Sequence, residues 1–248
     1  MARTALPGRL TWRAATLIKV AEETPTARTL TFDVPGWPGH LPGQHVDVRL
    51  TAEDGYSTQR SYSIAEPADG ERVVLTVQEV PDGEVSPYLT QALPVGAQVE
   101  LRGPVGGWFV WRDTDPAPVL LVAGGSGIVP LAAMLRARAA AGSRVPLRLL
   151  YSVRSPDERF YADELRSAAT GGIDITYLYT RSAPAEDPRG AKRIGLADVN
   201  THAWPADFEP ACFVCGPTGF VETVANILIA LGHDPRRVRT ERFGPSGG

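Results

Sequence analysis

Cysteine is scarce in this chain of 248 residues, which contains only Cys212 and Cys215. Two cysteines are too few for a disulfide framework or for a cysteine-ligated metal cluster. Their C-F-V-C spacing resembles a redox pair, but segment 211–215 is typical of a buried strand, in which residues three apart face opposite ways. We therefore do not expect a working dithiol at this position.

Long apolar runs and an excess of basic residues are also missing. No apolar segment approaches the ~20 residues that span a bilayer, and residues 1–20 lack the continuous apolar core of a signal peptide. The formal net charge is -3, so no basic field favours nucleic acid or an anionic membrane as partner. The four histidines form no metal-ligand pattern. We expect a cytoplasmic protein without a bound metal.

Apolar and polar residues alternate with a period of two in the first part of the chain. The alternation is clear in segments 29–34, 46–50 and 73–77, and Gly, Pro and Asp separate these segments. This pattern predicts antiparallel strands that form a small barrel, interrupted by one short helix with Ser86 at its N-cap and Pro87 at its first position. We assign residues 1–112 to this β-barrel domain, which ends at the polar stretch 111–118.

The pattern changes in residues 117–248, where continuous apolar segments alternate with helical ones. Predicted strands cover 119–123, 147–153, 173–179 and 211–215, and predicted helices cover 128–141, 157–168 and 218–231. Buried strands that alternate with helices indicate a parallel sheet covered on both faces. The expected fold is thus an α+β two-domain chain, an antiparallel β-barrel followed by an α/β doubly wound parallel sheet.

A glycine loop opens the α/β domain. Gly124, Gly125 and Gly127 join strand 119–123 to a helix, and such a loop lets a phosphate approach backbone amides at a helix N-terminus. No Lys-Ser/Thr follows, as in ATPases, and Pro130 stands where the dinucleotide fingerprint has its third glycine. A tight strand-to-helix turn without a ligand is the alternative interpretation of this loop.

A second loop, Cys215-Gly216-Pro217, follows a later predicted strand in the same way. Because the carboxyl ends of parallel strands meet at one edge of a sheet, both loops are expected to face one crevice. Thr180-Arg181 lies just past strand 173–179 at the same edge. A hydroxyl beside an arginine suits a 2′-phosphate, which favours NADPH over NADH, and the alternative is a solvated surface arginine.

The stretch QRSYSIAE, residues 59–66, places a cation, an aromatic ring and hydroxyls on one predicted strand. Arg60 can neutralise a pyrophosphate, Tyr62 can lie beside a flat heterocycle, and Ser63 can bond one of its nitrogens. The helix start at Ser86 can hold the same pyrophosphate from the other side. These are the requirements of a flavin dinucleotide.

Four segments, taken in order, resemble the ferredoxin–NADP reductase superfamily of two-domain flavoproteins. They are Arg60-Ser61-Tyr62-Ser63 as its R-x-Y-S flavin motif, Gly83-Glu84-Val85-Ser86 as its G-x-x-S phosphate motif, Gly125-Ser126-Gly127 with Pro130, and Cys215-Gly216-Pro217. The ordered set covers nearly the whole chain and is highly specific. The resemblance implies an FAD-binding barrel, a NAD(P)-binding domain and an active site in the cleft between them.

The resemblance also implies roles for individual residues. Arg60 and Ser86 bind the FAD pyrophosphate, Tyr62 packs on the isoalloxazine ring, and Ser63 lies near its N5. Cys215 lies near the nicotinamide C4 and shapes its position, so Ser63 and Cys215 are the catalytic candidates. Phe243 resembles the aromatic residue that covers the other flavin face. The full cofactor-binding set is Arg60, Ser61, Tyr62, Ser63, Gly83, Val85, Ser86, Gly125, Ser126, Gly127, Thr180, Arg181, Cys215, Gly216, Pro217 and Phe243.

The resulting hypothesis is an FAD-dependent oxidoreductase that passes a hydride from NADPH or NADH to FAD. Many relatives carry a fused iron–sulfur domain with four clustered cysteines, which this sequence lacks. The electron acceptor is therefore expected to be separate: a ferredoxin, a flavodoxin, a haem protein, an oxygenase component or a small molecule. We also expect Glu222 and Glu241 to be surface carboxylates, and Arg236, Arg237 and Arg239 to attract an acidic partner.

Two other classes of protein remain open at this point. One is a flavin or nucleotide sensor, or a regulatory subunit, that binds without turning over. The other joins a nucleotide-binding α/β domain to a β domain that binds sugar or peptide, with the R-S-Y-S segment as an ordinary strand.

Overall fold

The computed structural model of the protein describes residues 10–244. Its first domain contains six antiparallel strands in the sheet order β4-β3-β6-β1-β2-β5. The strands are β1 (Trp12–Thr24), β2 (Ala27–Asp33), β3 (His45–Thr51), β4 (Ser57–Ser63), β5 (Arg72–Gln78) and β6 (Gln98–Val105). A bridge between Ile64 and Leu75 and a hydrogen bond from Ala65 N to Val74 O (2.8 Å) join the two edge strands, so the sheet closes into the predicted barrel.

The barrel core follows from the period-two alternation. Leu30 and Phe32 of β2 lie opposite Leu75 and Val73 of β5, and all four side chains are fully buried. Burial of each such side chain contributes ~1.5–3 kcal/mol. The apolar half of the alternation therefore defines the inner face of the barrel.

The short helix of this domain begins two residues earlier than predicted. Helix α1 (Val85–Pro87) starts after Glu84 and continues as a π-helical turn (Tyr88–Ala92). Oγ of Ser86 accepts a hydrogen bond from the Val80 N–H at 3.0 Å, so this side chain closes the preceding loop and does not cap the helix. The loop is tight at Gly83, where a Cβ would lie 3.0 Å from the Val80 oxygen.

The second domain is a five-stranded parallel sheet in the order β11-β10-β7-β8-β9. Its strands are β7 (Val119–Gly124), β8 (Leu147–Val153), β9 (Asp174–Tyr179), β10 (Ala211–Pro217) and β11 (Val238–Phe243), and its helices are α2 (Ile128–Ala140), α3 (Ala162–Thr170), α4 (Leu196–His202) and α5 (Thr218–Ala230). One apolar cluster covers each face of the sheet, as the doubly wound prediction requires. Cys215 belongs to one cluster and Cys212 to the other, and both thiols are free.

Three elements of this domain differ from the prediction. Helix α4 and strand β11 were not predicted, and α3 begins at Ala162, whereas a helix from 157 was expected. Residues 156–158 form a separate 3-10 turn, and Tyr161 has a left-handed backbone with φ of 57°. The N–H of Tyr161 bonds to Oε1 of Glu23 (2.5 Å) and its hydroxyl to Oγ1 of Thr76 (2.6 Å), so contacts with the barrel fix this break in the helix.

Arg136 of α2 is a second connection between the domains. It donates Nη1 to the carbonyl oxygen of Ala65 (2.7 Å) and forms an ion pair with Glu66 (3.3 Å), both in the barrel domain. It also forms a two-pronged ion pair with Glu164 of α3 (2.9 and 2.5 Å). Its guanidinium lies over the ring of Tyr161, 4.4 Å from the centroid.

Among residues 10–244, no helix has the length and apolar character needed to span a lipid bilayer.

Candidate cofactor site between the two domains

The R-S-Y-S segment lies on β4, an edge strand that pairs with β3. Since side chains alternate along a strand, Arg60 and Tyr62 lie on the same face of the sheet as Val48 and Val46, the residues opposite them on β3. Ser61 and Ser63 lie on the opposite face. The strand therefore separates the two residues predicted to bind pyrophosphate and ring from the two serines.

Arg60 and Tyr62 differ in exposure. The Arg60 side chain is exposed, and its Nη1 donates to the Gln59 carbonyl oxygen at 2.7 Å, which leaves most of the five guanidinium donors for a ligand. Tyr62 is half-buried, and burial raises the pKa of its hydroxyl, so the phenol stays neutral. This combination suits a charged phosphate group at one end of the strand and a flat ring at the other.

The hydroxyl of Ser61 is occupied within the barrel. It donates to Oδ1 of Asp47 at 2.7 Å, and Arg102 donates to Oδ2 of the same carboxylate at 2.7 Å. A cofactor contact by Ser61, if formed, is therefore restricted to its backbone. Val85 is buried in the barrel core, and its predicted contact is restricted to the backbone in the same way. Ser86 accepts the Val80 N–H but keeps its own O–H to donate to an anionic oxygen.

The two glycine loops of the parallel sheet lie against each other. A Cβ added at Gly127 would collide with the backbone oxygen of Cys215, and a Cβ added at Gly216 would lie 3.1 Å from the Gly124 Cα. Gly125, Ser126 and Gly127 form a 3-10 turn that leads directly into α2. Only glycine permits this approach, which leaves backbone amides of both loops at one edge of the sheet.

Cys215 is fully buried at the end of β10. Burial raises the pKa of its thiol well above the usual value, and the nearby Glu241 carboxylate raises it further. A neutral, buried thiol is a poor nucleophile, since reactivity belongs to the thiolate. The side chain is therefore suited to packing, in agreement with the shaping role that the resemblance implies.

Glu241 was expected to be a surface carboxylate, but most of its side chain is buried. It lies opposite Cys215 in the β10–β11 register, its side chain is 20% exposed, and Oε1 is 3.1 Å from Nδ1 of His45. Its Oε2 has no hydrogen-bond partner within residues 10–244 and is shielded from solvent. The signal was its position two residues before Phe243, which places both on one face of β11. This spacing could not be used to predict the position of Glu241, because β11 itself was not predicted.

This orphaned oxygen is a test of whether the site fits its cofactors. A buried carboxylate oxygen without a hydrogen-bond donor is destabilising, so a ligand that donates an N–H group to Oε2 of Glu241 would stabilise the site. The nicotinamide carboxamide and the flavin ring both carry such groups. The residues present thus fit FAD and a nicotinamide nucleotide.

Three further predicted residues lie at the same carboxyl edge of the sheet. Thr180 and Arg181 follow β9, where their backbone N–H groups bond to the oxygens of Val153 (3.0 Å) and Arg154 (2.9 Å), and the Arg181 side chain is exposed. Strand β9 is three strand spacings, ~14 Å, from β10, so a ligand that contacts both must be extended. Phe243 ends β11 opposite Pro217 and is 38% exposed.

Comparison with known proteins agrees with this geometry. Residues 14–110 match the oxidoreductase FAD-binding domain family, and residues 121–226 match the oxidoreductase NAD-binding domain family. Ferredoxin–NADP reductase B of Sorangium cellulosum is 34% identical over 238 residues, 92% of this chain and 96% of the relative. The glycine betaine monooxygenase reductase subunit of Chromohalobacter salexigens is 32% identical over 233 residues, 92% of this chain and 63% of the relative.

A solved structure shows the same arrangement of both domains. The FAD/NAD-binding domain of nitric oxide dioxygenase from Vibrio cholerae superposes with a TM-score of 0.83 at 26% identity, covering 94% of this chain and 99% of that one. The chain spans 54% to 63% of the length of several other curated relatives that it matches.

Fold, motifs and relatives together define an oxidoreductase FAD-binding domain followed by an oxidoreductase NAD-binding domain. The chain belongs to the ferredoxin reductase-like superfamily, which confirms the resemblance seen in the sequence. The predicted fold class and the predicted cofactors are confirmed as well.

Proposed function

We propose that the protein oxidises a nicotinamide nucleotide, with NADPH favoured, transfers the hydride to FAD and delivers the electrons to a separate acceptor. One observation carries this proposal: three successive pairs of neighbouring residues connect Ser63 with Cys215, the two catalytic candidates. Ser63 pairs with His45 across β4 and β3, His45 contacts Glu241 at 3.1 Å, and Glu241 lies opposite Cys215. These neighbouring pairs support the proposal that the flavin and the nicotinamide bind close to each other, where the two domains are in contact.

The residues of the chain bind and orient, while FAD, when bound, supplies the hydride-accepting chemistry. Arg60 and the Ser86 hydroxyl would hold the pyrophosphate through charged and neutral hydrogen bonds. The Tyr62 ring would pack on the isoalloxazine, with Ser63 beside the same ring. Cys215 would pack as a neutral thiol against the nicotinamide, and Phe243 would exclude water from the other flavin face.

The preference for NADPH rests on the arginines at the β9 end of the crevice. Arg181 is exposed, and Arg154 beside it forms a 3.5 Å ion pair with Glu158 that is open to solvent. A dianionic 2′-phosphate competes well for such a weakly held guanidinium. NADH lacks this phosphate and gains nothing from either arginine.

The acceptor we propose is a separate protein such as a ferredoxin or an oxygenase component. The support comes from the functions for which relatives are named, among them the reductase subunit of a glycine betaine monooxygenase and a ferredoxin–NADP reductase. The suggested role of three arginines in attracting this acceptor is weakened. Arg236 pairs with Asp234 (2.9 Å), Arg237 pairs with Glu209 (3.3 Å), and Arg239 donates to a backbone oxygen (2.8 Å).

Anaerobic stopped-flow mixing tests the proposal. We expect the flavin absorbance of the FAD-loaded protein to bleach on mixing with NADPH, and more slowly with NADH at the same concentration. Protein that binds FAD and nucleotide but bleaches with neither would be a sensor or regulatory subunit, and the proposal would be wrong.

A further inference from the structure

His45 and Glu241 form a charged contact between the two domains. His45 is the first residue of β3 in the barrel, and Glu241 lies on β11, the edge strand of the parallel sheet. Their nearest atoms, Nδ1 and Oε1, are 3.1 Å apart, and the side chains are 26% and 20% exposed. Because most of the surrounding water is excluded, screening of this contact is weaker than for surface pairs.

The position of the contact is what makes it informative. His45 lies opposite Ser63 and Glu241 lies opposite Cys215, so the contact stands between the flavin side and the nicotinamide side of the cleft. One oxygen of Glu241 is in ion-pair contact with His45, while the other has no hydrogen-bond partner among residues 10–244. Because both oxygens belong to one planar carboxylate, the contact that holds Oε1 also sets the direction of the lone pairs of Oε2.

We propose that His45 is a positioning residue for hydride transfer: its protonated imidazole holds the Glu241 carboxylate beside Cys215 in the orientation that a bound nicotinamide or flavin requires. The inference rests on the proposed function and adds to it a residue that acts through another. His45 is not required to touch substrate or cofactor.

The other groups that face His45 do not compete for its Nδ1. On its own strand, Asp47 is already bonded to Ser61 of β4 and Arg102 of β6. The loop after β6 contributes Gly106, which has no side chain, and a Cβ there would lie 3.6 Å from Nδ1. Glu241 is therefore the acceptor that the imidazole contacts.

The contact gives hydride transfer a pH dependence with a defined sign. The hydrogen bond to Glu241 raises the pKa of His45 above 6.5, against the opposing effect of burial. The charged pair is therefore present below this raised pKa and is lost as the pH rises through it. We expect the rate constant of flavin reduction to fall on the alkaline side of 6.5.

The first test is the pH profile of flavin reduction in anaerobic stopped flow at saturating NADPH. His45→Ala removes the contact, His45→Asn keeps a neutral N–H donor near the position of Nδ1, and His202→Asn in α4 is the matched control. We expect H45A to be about tenfold slower than the wild type at acid pH, with a flat profile. H45N should also be flat but partly recovered in rate, and H202N should follow the wild type.

The second test does not depend on activity. The ring protons of His45 in the oxidised, FAD-loaded protein are followed by NMR as the pH is raised. We expect the pKa of His45 to lie above 6.5 in the wild type and to fall in Glu241→Gln.

Either of two results would overturn the inference: an H45N profile that still follows the wild type, or a His45 pKa that E241Q leaves in place. Failure of the proposed function looks different. In that case no variant and no wild-type sample bleaches with NADPH or NADH, while the NMR titration still reports on the contact.

Discussion

Replacement of Arg136 by alanine is the sharpest test of how the two domains are held together. The side chain is 16% exposed and bonds to Ala65, Glu66 and Glu164 while it lies over Tyr161. A charged hydrogen bond to a partly buried group is worth ~1.5–3 kcal/mol, and a cation–π contact ~0.5–1 kcal/mol. The two glutamates are each 41% exposed, so water replaces much of what they lose.

We therefore expect Arg136→Ala to lower the free energy of unfolding by about 3 kcal/mol. For a chain of this size the loss corresponds to a decrease in Tm of roughly 6–12 °C. Thermal and urea unfolding followed by circular dichroism measure both quantities. Arg136→Lys keeps the charge but loses the two-pronged geometry, so about half of the loss is expected.

Arg166→Ala is the matched control for this experiment. Arg166 forms an ion pair with Asp163 at 2.8 Å on the neighbouring helix, but the side chains are 71% and 91% exposed. Such a pair contributes less than ~1 kcal/mol. If R136A is no less stable than R166A, the reasoning that Arg136 connects the domains is refuted.

Three further predictions concern the cofactor site. Arg60→Ala should weaken FAD binding by ~1.5–3 kcal/mol, because one charged phosphate contact is lost. This corresponds to an increase in Kd of about 10- to 150-fold, which fluorescence titration of the apoprotein with FAD measures. An unchanged Kd would contradict the flavin role of the R-S-Y-S segment. Arg181→Ala should raise the KM for NADPH about tenfold and leave the KM for NADH unchanged. Equal effects on both KM values would show that Arg181 does not recognise the 2′-phosphate. Cys212 and Cys215 should resist alkylation by iodoacetamide at neutral pH until the protein is unfolded, because burial raises the pKa of Cys212 to about 12 and that of Cys215 well above its usual value. Mass spectrometry counts the labels, and rapid labelling of the native protein would be inconsistent with the packing of both thiols.

Local motifs were the most predictable part of this protein. The R-S-Y-S segment and the loops at Gly125 and Cys215 are contiguous, and each requires its residue types for a reason internal to a few positions: a cation for phosphate, glycine for close backbone approach. The buried strands β7, β8 and β10 were predictable too, since a strand covered on both faces is apolar throughout.

The elements that prediction missed depend on distant neighbours. Strand β11 reads V-R-T-E-R-F, and as an edge strand it has few apolar residues to give a period. Helix α3 starts late because Tyr161 bonds to Thr76 and Glu23 of the other domain, and no sequence window of α3 contains that information.

The sequence by itself determined the two domain types and their order, and it supplied the groups that we propose for phosphate and flavin binding, because these properties belong to segments of a few residues. Only the tertiary structure decided that Glu241 lies against Cys215 and contacts His45. That neighbourhood requires a parallel strand register and the docking of one domain on the other. Both are set by packing and hydrogen bonds between residues far apart in the chain, which leave no local pattern to detect.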